Sequence, residues 1–193
     1  MRDITEVTRQ TDALREGREA EVYLRERIEA LFEVRNELAT LESLDALCRR
    51  AVELLCGRLG FDRVGIWFRT EDPRTVRGSF GTDESGKSRD EQTRLQPLGE
   101  PMRVLLERQI PGMVFKHDDA PLWDDTGAVV GRGMQIWTGI WDDRSIIGFV
   151  TADNLLTGKL ITYHDEELLA LAASSLGHLC TRLRTSCLLY TSP

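Results

Sequence analysis

Residues 136–179 read IWTGIWDDRSIIGFVTADNLLTGKLITYHDEELLALAASSLGHL. Within this stretch the hydrophobic period changes from two to about 3.6. Apolar residues alternate over 134–141 and again over 145–152, which predicts two strands, and Asp142-Asp143-Arg144 between them has hairpin length. The pair is therefore antiparallel. After Asn154 and a short loop, Thr162-Tyr163-His164-Asp165 reads as a capping box, worth about 1 kcal/mol. Leu168, Leu169, Leu171, Ala172, Leu176, Leu179 and Leu183 then recur at helical spacing to about Arg184.

Upstream of this stretch, residues 61–68 and 76–80 are further strand candidates, with a shorter one at 113–116. Ser43 is a candidate N-cap, followed by Asp45 in the first turn. Leu44, Leu47, Cys48, Ala51, Leu54 and Leu55 then form an apolar stripe that ends at the glycines 57 and 60. Residues 82–99 are acidic and poor in apolar side chains, which predicts a solvated connection, and 100–108 reads as a short helix. In residues 1–40, Val7, Leu14, Leu24, Ile28, Leu31 and Leu38 fit a coiled-coil seam, interrupted by Glu21 and Arg35 and weakened at Gly17. A single charged surface helix is one reading. A pairing helix is favoured, because the opening half has too few apolar residues to bury alone. This element order predicts an α+β domain with an antiparallel sheet.

Alternation gives the sheet two unlike faces. Val64, Ile66, Phe68, Met134, Ile136, Ile140, Ile146, Gly148, Val150 and Ala152 make an aliphatic side suited to covering by helices. The other side carries Gly65, Trp67, Gln135, Trp137, Gly139, Trp141, Phe149, Thr151 and Asp153, and Phe80 is assigned to it as well. Aromatic rings, small residues and a few polar groups are the make-up of a small-molecule pocket. The alternative is that the tryptophans pack beneath the loops of residues 82–133. The candidate ligand-binding residues are Gly65, Trp67, Phe80, Gln135, Trp137, Phe149, Thr151 and Asp153.

The 193 residues are 41% apolar and 30% charged, with 25 basic against 32 acidic side chains and a net charge of -7. With no basic cluster interleaved with aromatics, nucleic acid is not an expected partner. No apolar run reaches the roughly 18 residues of a membrane span, and Met1-Arg2-Asp3-Ile4-Thr5 lacks a signal peptide's apolar stretch, so a cytoplasmic location is expected. Four cysteines, Cys48, Cys56, Cys180 and Cys187, show no CxxC pairing, and Cys48 and Cys180 fall on apolar stripes. His117, His164 and His178 have no metal-ligand spacing, and no Gly-x-Ser-x-Gly elbow occurs. Gly131-Arg132-Gly133, before a strand, reads as a turn.

Gly81-Thr82-Asp83-Glu84-Ser85-Gly86-Lys87-Ser88 satisfies the G-x-x-x-x-G-K-S phosphate-loop template. That motif needs free backbone N–H groups at the start of a buried helix. Here Asp83 and Glu84 stand where phosphate oxygens would lie, and RDEQTRLQP after it has almost no apolar face. An acidic surface turn is the favoured reading and phosphate binding the distant alternative.

The stretches LFEVRNELATLESLDALCRRAVELLCGRLGFDRVGIWF, residues 31–68, and 136–179 resemble a GAF domain, a likeness covering about residues 31–184. The resemblance implies a mostly antiparallel six-stranded sheet, with the N- and C-terminal helices on one face and a ligand cavity on the other. It implies a regulatory, non-catalytic sensor, of the kind found in two-component kinases, cyclic-nucleotide phosphodiesterases, phytochromes and transcription regulators. The family's cyclic-nucleotide binders carry an Asn-Lys, Phe, Asp-Glu pattern. Asn154, Asp165 and Glu166 match it, while the lysine is displaced to Lys159 and Ile161 replaces the phenylalanine, so no cyclic nucleotide is implied. Neither a bilin attachment cysteine nor the pocket cysteines of the free methionine sulfoxide reductase branch are matched. Asn154 and Asp165 themselves read as loop and cap residues.

Arg2-Asp3-Ile4-Thr5-Glu6 before a charged helix is similar to the exit of a PAS domain. The expected organisation is a signalling helix at 1–40, a GAF domain at 41–184, and a tail at 185–193, TSCLLYTSP, that reads as a non-native addition. The expected partners are an unidentified small molecule, a second copy through the terminal helices, and a covalently linked output domain. A ligand-free dimerisation or linker domain is the alternative function.

Overall fold

The computed structural model describes residues 4–124 and 126–190, with side chains described at 15, 17 and 18 and from 21 to 185 apart from 125. Its elements run α1 (Ile4–Ala39), α2 (Leu44–Gly57), β1 (Arg63–Arg69), β2 (Thr75–Thr82), β3 (Ser88–Asp90) and β4 (Leu95–Pro97). They continue with α3 (Glu100–Arg108), β5 (Val114–Trp123), β6 (Val129–Trp141), β7 (Ile146–Asp153) and α4 (Tyr163–Tyr190).

Local chemistry explains the ends of these elements. Ser43 caps α2 by accepting the Ala46 amide at 3.2 Å. Asp142 closes the β6–β7 hairpin by accepting the amides of Arg144 and Ser145 at 2.9 and 2.7 Å. Thr162 and Asp165 exchange hydrogen bonds at the start of α4, the reciprocal geometry of a capping box. Past Arg184 the helix continues to Tyr190, because neither glycine nor proline interrupts residues 178–190.

The strands form an antiparallel sheet in the order β3-β2-β1-β7-β6-β5, with β4 also paired to β2, making seven strands where six are expected. The addition comes from residues 82–99, which the sequence presents as a solvated connection. Their backbone is satisfied by β2: the Glu91 amide donates to the Ser79 carbonyl and the Gly78 amide to the Arg94 carbonyl. An edge strand of this kind needs a partner backbone, not apolar side chains. The β5–β6 hairpin is likewise longer than its apolar residues suggest, closed by Asp124 accepting the amides of Thr126 and Ala128.

On one face, α1, α2 and α4 cover Val64, Ile66, Ile136, Ile140, Val150 and Ala152. Val34 and Leu38 of α1 are buried in this core, so the end of the seam packs within the chain. Arg27 of α1 also reaches the α4 cap, bonding Asp165 at 2.8 Å. Val7 and Leu14 lie outside the residues whose side chains are described, as do the side chains of the PAS-like stretch, and residues 1–3 and 191–193 fall outside the described residues altogether. On the other face, Met102 and Leu105 of α3 pack on Trp67, Val76, Trp137, Ile146 and Phe149.

Two residues stand opposite to the face that alternation assigns. Phe80 lies in the helix-side core, with the Arg49 guanidinium 5.0 Å from its ring. Between β1 and β2, Gly65 pairs with Gly81 but Trp67 with Gly78, so three steps on one strand oppose two on the other, and this bulge inverts the alternation. Ile146 lies on the α3 side for the same reason: β6 meets β7 at Ile140↔Gly148 and then at Trp141↔Ile146.

A candidate ligand cavity on the sheet face

Pairing register sets the floor of the site. Across four adjacent strands the row runs Trp137, Thr151, Gly65, Gly81, and it continues to Arg89 on β3. The next row is Gln135, Asp153, Arg63. Because Gly65 and Gly81 face one another, two side chains are missing from the middle of the row, and Thr151, Trp67 and Glu91 take the space above them. A Cβ at Gly65 would stand 3.1 Å from Thr151 Cγ2 and 3.2 Å from Trp67 Nε1, and one at Gly81 would stand 2.9 Å from Glu91 Oε2. Beside this row is a cavity of about 390 Å³, within the range of small-molecule sites.

Its charges are paired in the protein. Arg63 Nε and Nη2 grip both oxygens of Asp153, at 3.0 and 2.6 Å, while Nη1 donates to the Trp123 carbonyl at 3.0 Å. The two charged side chains are each 8% exposed, so the pair is held in a low-dielectric wall. Glu91 Oε1 accepts from Arg94 Nη1 at 2.9 Å and from Arg89 Nη2. The Arg94 guanidinium also lies 5.9 Å from the centre of a Trp67 ring. Asp124, at the margin, accepts from the hydroxyl and amide of Thr126 and the amide of Ala128, which hold its carboxyl below the usual range. Trp137 Nε1 and Thr151 Oγ1 are buried without a hydrogen-bond partner.

Of the residues expected to bind a ligand, Gly65, Trp67, Gln135, Trp137, Thr151 and Asp153 come together around the cavity. Phe149 packs beneath α3 with Trp67 and Trp137, and Phe80 stands on the opposite face. Sequence reasoning missed Arg63, Arg89, Glu91, Arg94 and Trp123. Arg89 and Glu91 are two residues apart, the spacing that puts both side chains on one face of a strand, and that is the signal the sequence offered. Without pairing to β2 it pointed nowhere in particular.

The stretch from Gly81 to Ser88 is the β2–β3 turn. Asp83 Oδ1 accepts the amides of Ser85 and Lys87 at 2.8 and 2.9 Å, so the backbone donors a phosphate would need are already engaged. Those amide bonds, with the Ser85 hydroxyl, hold the Asp83 carboxyl below its usual range. A β-strand, not a helix, follows. Asn154 is a loop clamp: its Oδ1 accepts the Met134 amide at 2.8 Å and its Nδ2 donates to the Lys159 carbonyl at 2.8 Å. Cys48, Cys56 and Cys180 all pack on the helix side. Burial pushes the Cys56 thiol up to about 12, with Asp62 and Asp153 adding to it, and keeps it a neutral thiol at pH 7. Among the described residues, no three His, Cys, Asp or Glu side chains are grouped to hold a metal ion, and no helix is long and apolar enough to cross a membrane.

No protein-family model matches the sequence, and neither does any curated protein. Solved structures do match in shape. The GAF domain of a phosphoenolpyruvate-protein phosphotransferase from Coxiella burnetii superposes with TM-score 0.69 at 13% identity, covering 86% of this chain and 98% of that one. Free methionine-R-sulfoxide reductase from Neisseria meningitidis, solved with its substrate, gives TM-score 0.65 at 14% identity over 85% of this chain and 93% of its own. A segment of a methyl-accepting chemotaxis protein gives 0.63 at 15% identity, covering 79% and 98%.

Proposed function

We propose that this chain, which has the GAF fold, is a regulatory, non-catalytic module that binds a small molecule on the open face of its sheet and belongs to a larger signalling protein. The observation that carries the reading is the cavity of about 390 Å³ on the sheet face, walled by the Arg63–Asp153 pair and by Glu91 with Arg89 and Arg94. A face filled by its own loops would not leave this volume. The signalling neighbours of the fold, a chemotaxis protein among them, agree with such a role. A ligand-dependent change in the pairing of α1, which follows the PAS-like exit and is tied to the α4 cap by the Arg27–Asp165 pair, would pass to α4 and on to a following output domain.

The test is native mass spectrometry of the full chain and of Thr151→Trp. A bound non-protein mass on the parent that the variant loses supports the sensor reading. A ligand-free parent whose melting temperature Thr151→Trp leaves unchanged refutes it.

A second reading, a ligand-free dimerisation domain, draws on a different feature. Leu24 and Ile28 of α1 and Leu168 and Leu171 of α4 line an open apolar groove, and Phe32 beside it is 57% exposed. A second copy packing there would cover that surface. The two readings are compatible, and a dimer without a ligand would leave the second alone.

A further inference from the structure

Resting on the sensor reading, we propose a ligand class for the cavity: an uncharged molecule with an amide-type edge, an N–H donor beside a carbonyl acceptor, read by the carboxamides of Gln135 and Gln96, and an apolar end against Trp123. Charge is the first constraint. Three arginines, Arg63, Arg89 and Arg94, and three carboxylates, Glu91, Asp124 and Asp153, line the cavity, so its wall carries no net charge. Arg63 holds both oxygens of Asp153, and Arg89 and Arg94 share Glu91. Asp124 is engaged by the Thr126 hydroxyl and by turn amides. A charged ligand would have to compete with these bonds for its counter-charge while losing its own hydration. An uncharged one avoids both costs.

Hydrogen bonding is the second constraint. Among the described residues nothing bonds the carboxamides of Gln135 and Gln96, and both residues are half-buried rather than sealed in the interior. The Thr82 hydroxyl, by contrast, is spent on the Val64 backbone. Pairing turns both glutamines to this face. Gln135 continues the row of Asp153 and Arg63, and Gln96 is the cross-strand partner of Val76, which packs beneath α3. A carboxamide presents donors and an acceptor side by side, so its complement is a group that also presents both, such as an amide, a lactam or a urea. At the margin of the cavity, Trp123 is 50% exposed although its carbonyl is held by Arg63, and its cross-strand partner Val129 is 52% exposed. Adjoining large apolar side chains left open beside a cavity suit an apolar group of the ligand.

The experiment titrates the full chain with four probes that share one ring system: 2-naphthamide, methyl 2-naphthoate, 2-naphthoate and 2-(aminomethyl)naphthalene, followed by calorimetry and ligand-observed NMR. The amide is expected to bind at least about tenfold more tightly than the ester, which lacks the donor, and than either ion. Gln135→Leu and Gln96→Leu keep most of the volume and remove the carboxamides. Each is expected to cut naphthamide affinity about tenfold and to leave the ester nearly unchanged. Their melting temperatures should hardly move, since no hydrogen bond within the protein is lost. Trp123→Ala is expected to weaken the amide and the ester alike.

Binding of the acid or the amine as tight as that of the amide overturns the uncharged class while leaving the cavity a ligand site. Equal affinity for amide and ester overturns the amide edge. A preference for the amide that survives in both glutamine variants overturns the placement on these side chains. Failure of all four probes to bind in the millimolar range overturns the ligand class. The broader sensor reading is judged separately, by the bound mass that Thr151→Trp expels.

Discussion

Asp153 accepts from two nitrogens of Arg63 and from the Leu155 amide, so a single carboxylate holds a cavity wall and the start of the following loop. Replacing it by a neutral asparagine leaves the Arg63 charge buried without its counter-ion. Asp153→Asn is expected to cost about 3–5 kcal/mol in urea unfolding, and a loss below about 1 kcal/mol would mean that water reaches Arg63. Gly177 matters for a different reason. It lies where α4 crosses β6, and a Cβ there would overlap the Trp141 carbonyl oxygen, a backbone atom that cannot swing aside. Gly177→Ala is expected to destabilise by about 3 kcal/mol, although alanine is the better helix former, and a stabilised variant in the same assay would show that the helix can lift off the sheet. Neither position announces itself in the sequence: a glycine in a helix and an aspartate at a strand end are both ordinary there.

At the scale of elements, α4 and its partners carry the testable behaviour. Burial raises the Asp165 pKa, but the amide and hydroxyl of Thr162 and the Arg27 guanidinium outweigh it and leave the carboxyl below its usual range. Its folded value is thus below its unfolded one, so the stabilisation is complete above about pH 3.9 and is lost as pH falls through the folded value. Acid unfolding followed by circular dichroism should show this: the stability lead of the parent over Asp165→Asn should shrink as pH drops below about 4. A constant lead would remove the ion pair and cap as its source. The groove between α1 and α4 makes the second prediction. Leu171 is 52% exposed, so Leu171→Glu is expected to leave the monomer's melting temperature nearly unchanged and to weaken any dimer at least about tenfold in sedimentation. An unaltered dimer would place the interface elsewhere.

For the whole molecule, the division of labour in α1 decides which truncations are tolerated. Val34 and Leu38 are buried among α2 and α4, whereas Leu24 and Ile28 border the open groove. Removing residues 1–20 is expected to leave the melting temperature nearly unchanged, while removing 1–40 should cost at least about 3 kcal/mol, the burial of two aliphatic side chains. Equal stability of both truncations would contradict the packing of α1. Much of the GAF fold was legible in advance because caps, hairpin loops and hydrophobic periods are local. Ser43, Asp142 and the Thr162–Asp165 box each act within a few residues, so the helices, the central hairpin and the antiparallel sheet class follow from the chain's local chemistry. The aromatic, small-residue character of one face follows too, since Trp67, Trp137 and Thr151 are placed by alternation. Where alternation inverts was settled only by folding, because a bulge is set by register with a partner strand; that is why Phe80 and Ile146 changed sides. Folding also built the charged wall of the cavity. Arg63 and Asp153 are separated by the whole sheet in sequence, and Arg89, Glu91 and Arg94 reach the site only when residues 88–97 pair with β2. Long-range pairing of that kind leaves no periodic trace in the chain, since what it requires is a complementary backbone in space rather than a pattern of side chains.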